Sequence, residues 1–508
     1  MPTSRALWLI ALVPALAALH AGDKSPAPPP GAARLHSVAR PAIPPDVRKQ
    51  LGLGPEYEKL REVEQIKVAV LDYGFDGIDG VRPFLPASTV LVEHYDPDFV
   101  RRHNLGDPEF RKGFAPGNKH GRVMAQLVWA VTGQDPGGPK FYLLNANGPT
   151  MLQRAVRLAI ELKVDLILFS NTFDGGGNGD GRGPINRIVQ AATSAGIIWI
   201  NAAGNQGGHV YRGPVEELGS GYLRLGPRRD AGGLRFRNLV DDNSVTVTLT
   251  WNDYGEAEDA GTTKDLDLSV EDWKGQVVAS SELRQVAGPQ KAADGETRNP
   301  RERLVLPGLA ADREHDYRIR VRRRGGRFTA DDRLRVLISA TREGKVPDPK
   351  TGKPRDAVQF LDASDAGEIY PPADHPLVLT VGDAGTESSV GPTTDHRLKP
   401  DVVLRNSEAP FTDGEVSAGA SNAAAYFAGI VALLKAAEPR LEARHLLTLA
   451  RPAPPGTTAT TVRRIPTLSV APSVRDYIVQ TRVWHTPTRR ELADALRSSQ
   501  AIPTIPRP

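Results

Sequence analysis

A serine hydroxyl is a poor nucleophile until a neighbouring base takes its proton, and that base needs a third group to fix its tautomer and orientation. The stretch EVSAGASNAAAYFAGIVALL (415–434) sets Ser421 among small residues at the head of an apolar run with helical spacing. Such a serine is either part of a capped core helix or the seat of a nucleophile. The second reading demands a histidine and a carboxylate elsewhere, and the chain supplies both. Asp72 ends the apolar run VAVLD and is followed by YGFDG, while His120 heads HGRVMAQLVWA, the start of an apolar helix. Taken singly, Asp72 reads as a cap or turn aspartate and His120 as a capping or exposed histidine. Attack on a carbonyl makes a further demand, because the oxygen becomes an anion and donors must already face it. Losing one such donor costs about 10²- to 10³-fold in rate. Asn205, at the end of IIWINAAGNQG, is a short amide donor in a Gly-rich turn. The Ser421 N–H is the natural second donor, and the start of its helix adds positive potential. Each feature has an ordinary explanation, but the four together ask for a common one.

The surrounding elements can position these groups. Between residues 61 and 208 short apolar runs alternate with amphipathic stretches: IKVAVLD (66–72), KFYLLN (140–145), MLQRAVRLAIELK (151–163), VDLILFSN (164–171), a helix opened by Pro184, and GIIWINAAGN (196–205). Strands apolar on both faces and separated by helices indicate a parallel α/β sheet, whose sites collect at the carboxyl ends of the strands. From about 243 to 340 the pattern changes to period-two strands, including SVTVTLTW with Val245, Val247, Leu249 and Trp251 on one face. No helical pattern lies between them, which is the signature of an antiparallel sandwich. The α/β character returns with HPLVLTVGD (375–383), so the sandwich reads as an insertion.

Composition narrows the class. The chain has 508 residues, 40% hydrophobic and 24% charged, as expected of a globular protein with more than one folded unit. With 64 basic and 60 acidic side chains the net charge is only +4, which gives no ground for a nucleic-acid partner. The basic run RVRRRGGR (320–327) reads as a solvated strand end running into a Gly-Gly turn. Cysteine is absent, which excludes disulfides and a thiol nucleophile. The opening MPTSRALWLIALVPALAALHAGDKS has the layout of a secretory signal peptide, with an apolar stretch too short for a comfortable membrane span. The expected location is secreted or periplasmic, without stable membrane insertion.

VAVLDYG, HGRVMA, NAAGNQG and GASNAAAYFAG, in the order Asp, His, Asn, Ser, resemble the motifs of the subtilisin-like serine peptidases, whose triad follows the chain order Asp, His, Ser. The resemblance covers 66–208 and 374–440. It implies a parallel-sheet subtilisin-like catalytic domain interrupted by an antiparallel β-sandwich insertion. It also implies Asp72, His120 and Ser421 as the triad, Asn205 as the oxyanion-hole side chain, an acyl-enzyme, and no metal or cofactor. The expected domains are a signal peptide (1–21), a Pro-rich linker or short pro-segment (22–60), the first part of the catalytic domain (61–208), the inserted sandwich (209–373), the second catalytic part (374–451) and a C-terminal tail (452–508), loosely packed with one short helix near 489–498. The chain departs from the family pattern at Ala420 and Ala425, where Thr and Pro are usual, and in HGRVMAQ for HGTHVAG. Many secreted members of the family carry a folding propeptide of domain size, whereas here only the Pro-rich linker and an expected short helical stretch near 47–63 lie between the leader and Asp72.

By the same resemblance a peptide substrate adds as an extended strand against exposed edges. Asn147 and Gly148 of ANG, and Ser170 and Asn171 of SNT, match those edges, and FDGGGNGDGRG (173–183) would line or cap the first specificity pocket. Asp174, Asn178 and Asp180 in that loop invite a calcium reading, but their spacing fails the EF-hand pattern. In DLDLSVED, Asp265, Asp267 and Ser269 share a face opposite Leu266, Leu268 and Val270, as in a half-buried strand with a polar outer side. The insertion is expected to restrict substrate access or to bind substrate away from the cut. The leading expectation is a secreted serine endopeptidase acting on protein or peptide substrates. The alternative is a catalytically inactive subtilase-like binding protein. An α/β-hydrolase esterase would need G-x-S-x-G and the order Ser, Asp, His, neither of which is present.

Overall fold

The computed structural model describes residues 51–498 apart from 58–59, 82–84, 134–137, 227–231, 258–259, 289–291, 343, 348–351, 353, 412–415 and 451–472. The expected signal peptide and most of the Pro-rich stretch therefore lie outside the described residues.

The apolar runs of the first part become strands β1 (Lys67–Asp72), β2 (Val90–Val92), β3 (Lys140–Asn145), β4 (Leu166–Phe169) and β5 (Ile198–Ala202). Beyond β5 come the inserted strands β6 (Val210–Pro214), β7 (Leu234–Asn238), β8 (Asn243–Trp251), β9 (Asp265–Glu271), β10 (Val277–Ser281), β11 (Arg301–Leu309), β12 (Tyr317–Gly325), β13 (Arg333–Ala340) and β14 (Val358–Phe360). The chain then resumes with β15 (Val378–Asp383) and β16 (Val402–Leu404). The parallel sheet has seven strands in the order β2-β3-β1-β4-β5-β15-β16.

Period two decides how the sheet is covered. Val68 and Val70 of β1, Leu166 and Leu168 of β4, and Ile198 and Ile200 of β5 enter one core. Ala69, Leu71, Ile167, Phe169 and Trp199 enter a second core on the other face. Helices α1 (His120–Thr132) and α4 (Ala420–Ala437) pack into the first core, while α2 (Pro149–Glu161) and α3 (Pro184–Ser194) pack into the second. Helix α4 is apolar all round and so must be enclosed on every side. Among the described helices it alone is long and apolar enough to cross a membrane, yet 89% of it is buried within the fold. It is a core helix.

The insertion leaves after β5 and returns to β15, which lies beside β5 in the sheet with Ile200 opposite Leu379. Its strands form a five-stranded sheet, β10-β9-β12-β7-β14, and a four-stranded sheet, β11-β8-β13-β6. Their inner faces share a separate core that includes Val245, Val247, Leu249, Trp251, Leu266, Leu268, Val270, Ile319 and Val321. The alternation read in SVTVTLTW and DLDLSVED is therefore the real facing of β8 and β9. The basic run lies at the end of β12 and is paired: Arg323 meets Glu217 at 3.1 Å, Arg324 meets Asp267 and Glu282, and Arg320 sits over the Tyr222 ring. Strands β6, β7 and β14 lie outside the runs read from the sequence, although β7, LRFRN, alternates buried and half-buried residues along its whole length.

The 173–183 loop is clamped to the sandwich. Asn178 exchanges two hydrogen bonds with the Tyr254 backbone, at 2.8 and 2.9 Å. Asp174 accepts from Thr248 at 3.3 Å and faces Arg301 at 3.7 Å, and Asp180 is taken by Arg182. Among the described residues no group of three or more His, Cys, Asp or Glu is disposed around a common metal position.

The C-terminal expectation needs correction. Residues 473–498 are not loosely packed, and they carry a second helix, α5 (Val474–Thr481), ahead of the expected one, α6 (Arg489–Ser498). Trp484 sets its ring edge-on to Phe427 of α4, with centroids 4.9 Å apart, and its backbone N–H donates to the Val403 carbonyl of β16. The N-terminal segment packs beside it, for Tyr57 donates to the Pro487 carbonyl at 2.6 Å and Thr486 donates to the Leu51 carbonyl at 2.7 Å. Folding thus begins before residue 61, with 3₁₀ turns at Pro55–Tyr57 and Arg61–Gln65 in place of the expected short helix. Contacts between segments more than 400 positions apart leave no trace in local periodicity. Trp484→Ala is expected to lower unfolding free energy by about 3 kcal/mol, the usual loss for an aromatic taken from a core. A shift below about 1 kcal/mol in urea unfolding would show that the segment does not belong to the core.

Candidate active site

Strands β1, β4 and β5 are parallel neighbours, so the residues at their carboxyl ends share one edge of the sheet. Asp72 closes β1, Ser170 and Asn171 follow β4, and Asn205 follows β5. His120 is the first residue of α1, and Ser421 the second of α4.

Asp72 is 1% exposed, and a buried carboxylate must be supplied with donors. Its Oδ1 accepts from the N–H groups of Tyr73 at 2.8 Å and Gly74 at 2.9 Å. Its Oδ2 takes His120 Nδ1 at 2.7 Å and Asn171 Nδ2 at 3.2 Å. The His120–Asp72 bond places Nδ1 as donor and leaves Nε2 as the basic nitrogen. Burial pulls the imidazole pKa down, but the charge of Asp72 and its hydrogen bond outweigh burial, and the net shift from 6.5 is upward. The helix reaches Asp72 this closely because residue 121 is glycine. A Cβ there would lie 2.5 Å from the Asp72 Cβ and 2.7 Å from the Phe75 ring.

Ser421 is 6% exposed, and its hydroxyl donates to the Ser170 carbonyl at 3.1 Å. In this conformation it makes no hydrogen bond to His120, whose single side-chain bond goes to Asp72. Gly419 caps α4 with no side-chain partner, leaving the positive end of the helix open. Its φ of 118° lies in the left-handed region, and a Cβ there would sit 3.4 Å from the Asn205 amide. Asn205 Oδ1 accepts from the Ala420 N–H at 3.1 Å, which fixes the amide's orientation beside the head of α4. Ser407 braces the approach to this helix, accepting from Gly419 N and donating to Asp383, each through its Oγ.

The expected substrate edges divide. Ser170 and Asn171 touch the catalytic candidates directly, through the Ser170 carbonyl and the Asn171 amide. Asn147 follows β3, on the far side of β1, and spends its side chain on the Gly113 carbonyl, at 2.8 Å, while Gly148 caps α2. Two participants escape the sequence reading: Asn171 as a partner of Asp72, and Asn201, whose amide donates to the Asn171 carbonyl at 3.0 Å. Both are asparagines within a run already explained as strand and turn. An amide inside the buried run IIWINAA is the one signal that pointed there.

The arrangement has the parts needed for acyl transfer: an oriented base, a hydroxyl at a helix start and an amide beside it. Comparison with known proteins places it in a lineage. No curated protein matches the chain. Among solved structures, the CspB protease of Clostridium perfringens is similar, with 16% identity over 83% of this chain and 93% of that one and a TM-score of 0.48. MycP1 of Mycobacterium smegmatis is similar at 14% identity over 82% of this chain and 83% of that one, with a TM-score of 0.32. The subtilase family model (peptidase S8) matches residues 64–481, which span both parts of the parallel sheet and the insertion between them. The chain therefore belongs to the subtilase family of serine peptidases, which act on protein or peptide substrates.

Proposed function

We propose that this protein is a secreted serine endopeptidase with Asp72, His120 and Ser421 as its triad. The observation that carries the reading is the 2.7 Å bond from His120 Nδ1 to the buried Asp72, made beside a loop that also receives the Ser421 hydroxyl. The Ser421 proton passes to His120 Nε2 as its Oγ bonds to the substrate carbonyl carbon. The resulting oxyanion is met by Asn205 Nδ2 and the Ser421 N–H. His120 then protonates the leaving amine and the acyl-enzyme forms. Water, deprotonated by His120, attacks the acyl carbon, and the carboxylic acid leaves as Ser421 recovers its proton. The hydroxyl hydrogen must turn from the Ser170 carbonyl to Nε2 for the first step. The extended substrate runs along the edges that begin at 146–148 and 170–172. Secretion rests on the apolar leader with its following small residues.

The second reading, a silent binding protein, draws on the Ser421 hydroxyl being engaged by Ser170 rather than His120. Labelling with a fluorophosphonate separates the two. The wild-type protein is expected to label covalently at Ser421, with labelling abolished in Ser421→Ala. A folded wild-type protein that stays unlabelled overturns the endopeptidase reading in favour of the silent one.

The base must be neutral to accept the proton, and its pKa is raised. The acid limb of kcat/KM is therefore expected above pH 6.5, with activity falling as pH drops through it. Asp72→Asn removes both influences that raise the pKa and leaves burial, which lowers it. The variant should lose about 10⁴-fold in kcat, and its residual acid limb should move to lower pH. An unchanged limb in a pH–rate profile would mean that the carboxylate does not govern His120.

A further inference from the structure

Ser170 and Asn171 are consecutive, yet they touch opposite ends of the proposed triad. The Ser170 carbonyl takes the Ser421 hydroxyl at 3.1 Å, and Asn171 Nδ2 reaches Asp72 Oδ2 at 3.2 Å. We infer that Asn171 is a positioning residue, holding the Asp72 carboxylate in the orientation that receives His120, and that its side chain does not serve the substrate. The inference rests on the triad reading above.

Counting acceptor sites supports it. The carboxylate has room for about four hydrogen bonds. Tyr73 and Gly74 fill Oδ1, and His120 and Asn171 share Oδ2. The two backbone donors belong to the residues directly after Asp72 and anchor one oxygen only. Asn171 comes from the loop after a different strand, β4, and is the donor that fixes the other oxygen without itself taking part in proton transfer. Remove it, and the plane of the carboxylate is held on the Oδ2 side by His120 alone, the group it is meant to orient.

Asn171 is itself fixed from inside the sheet. Its carbonyl accepts from Asn201 Nδ2 at 3.0 Å, and Asn201 Oδ1 accepts from Trp199 Nε1 at 3.0 Å. Asn201 and Trp199 are both fully buried on β5, where Asn201 lies in register with Phe169, the last residue of β4. The backbone that carries the Asn171 side chain is thus held by a buried amide, itself oriented by the indole behind it. Such bonds gain strength from their low-dielectric surroundings. The same contacts argue against a substrate role for this side chain, since its donor is already committed to a charge.

A neutral donor on the carboxylate spreads part of its negative charge, which weakens its pull on the His120 proton. Losing the donor should therefore raise the imidazole pKa as well as loosen its aim. Asn171→Leu, of similar size and without a donor, tests both effects in the full-length protein. Expected are a fall in kcat on the order of tenfold, KM within about twofold of wild type, and an acid limb of kcat/KM displaced to higher pH. A rise in KM with kcat and the acid limb unchanged would assign the side chain to substrate instead, and three unchanged parameters would remove any role. Asn171→Ala gives the same readouts if leucine lowers the thermal midpoint. Fluorophosphonate labelling keeps the two failures apart: a wild-type protein that labels at Ser421 beside an Asn171→Leu variant with unaltered kinetics sinks this inference alone, whereas an unlabelled wild-type protein sinks the triad on which it rests.

Discussion

One buried charge organises the candidate site. Removing a carboxylate from water is costly unless donors replace the lost hydration, and Asp72 meets four of them at once. Two come from the backbone that turns away from β1, one from the first residue of α1 and one from the loop after β4. Each constrains a different element, so the charge fixes the strand end, the helix approach and the loop relative to one another. Gly121 shows how closely these elements meet, because no side chain fits between the helix and the Asp72 Cβ. The same contact that stabilises the charge sets the tautomer of His120, so structure and chemistry share a single constraint.

The Ser421 hydroxyl is held by another means. Helix α4 is enclosed on all sides and packs with α1 into the first core. Its start is left polar and open. Gly419 provides a backbone conformation that other residues rarely adopt, Ser407 braces it, and Asn205 lies against the first amides. A rigid apolar rod thus delivers a hydroxyl to the sheet edge with positive helix potential behind it. The C-terminal segment contributes at a distance: Trp484 packs on Phe427, six residues beyond Ser421 on the same helix.

The insertion occupies the gap between two strands that are neighbours in the parallel sheet. Because β5 and β15 pair directly, a module of nearly any size can be looped out there without disturbing sheet order. The sandwich has its own core, yet it is not a free appendage. Tyr254, Thr248 and Arg301 grip the 173–183 loop, and Arg335 reaches the Ile369 carbonyl and stacks over Tyr370 just before β15. The loop that follows Ser170 and Asn171 is therefore shaped as much by the sandwich as by the sheet. This also accounts for the polar residues of that loop. Asp174, Asn178 and Asp180, which look like ligands in the sequence, are occupied by side-chain and backbone partners.

Much of this was legible from residue order. Apolar runs such as VAVLD and VDLILF declared buried parallel strands, SVTVTLTW declared a sandwich strand by its alternation, and four short motifs named the residues that gather at the sheet edge. These signals are local: side-chain period follows directly from backbone geometry, and motif residues sit within a few positions of the turns that aim them. What the residues could not tell is which distant groups would meet. That Asn171 turns to Asp72, that Asn201 holds the Asn171 carbonyl with its own amide, that Trp484 closes over α4 and that Asn178 answers to Tyr254 all depend on strand order and on segments far apart in the chain. A hydrogen bond is selected by distance and direction in the folded molecule, and neither is encoded in spacing along the sequence. The residue types were set by the polypeptide, and their partners were chosen by the fold.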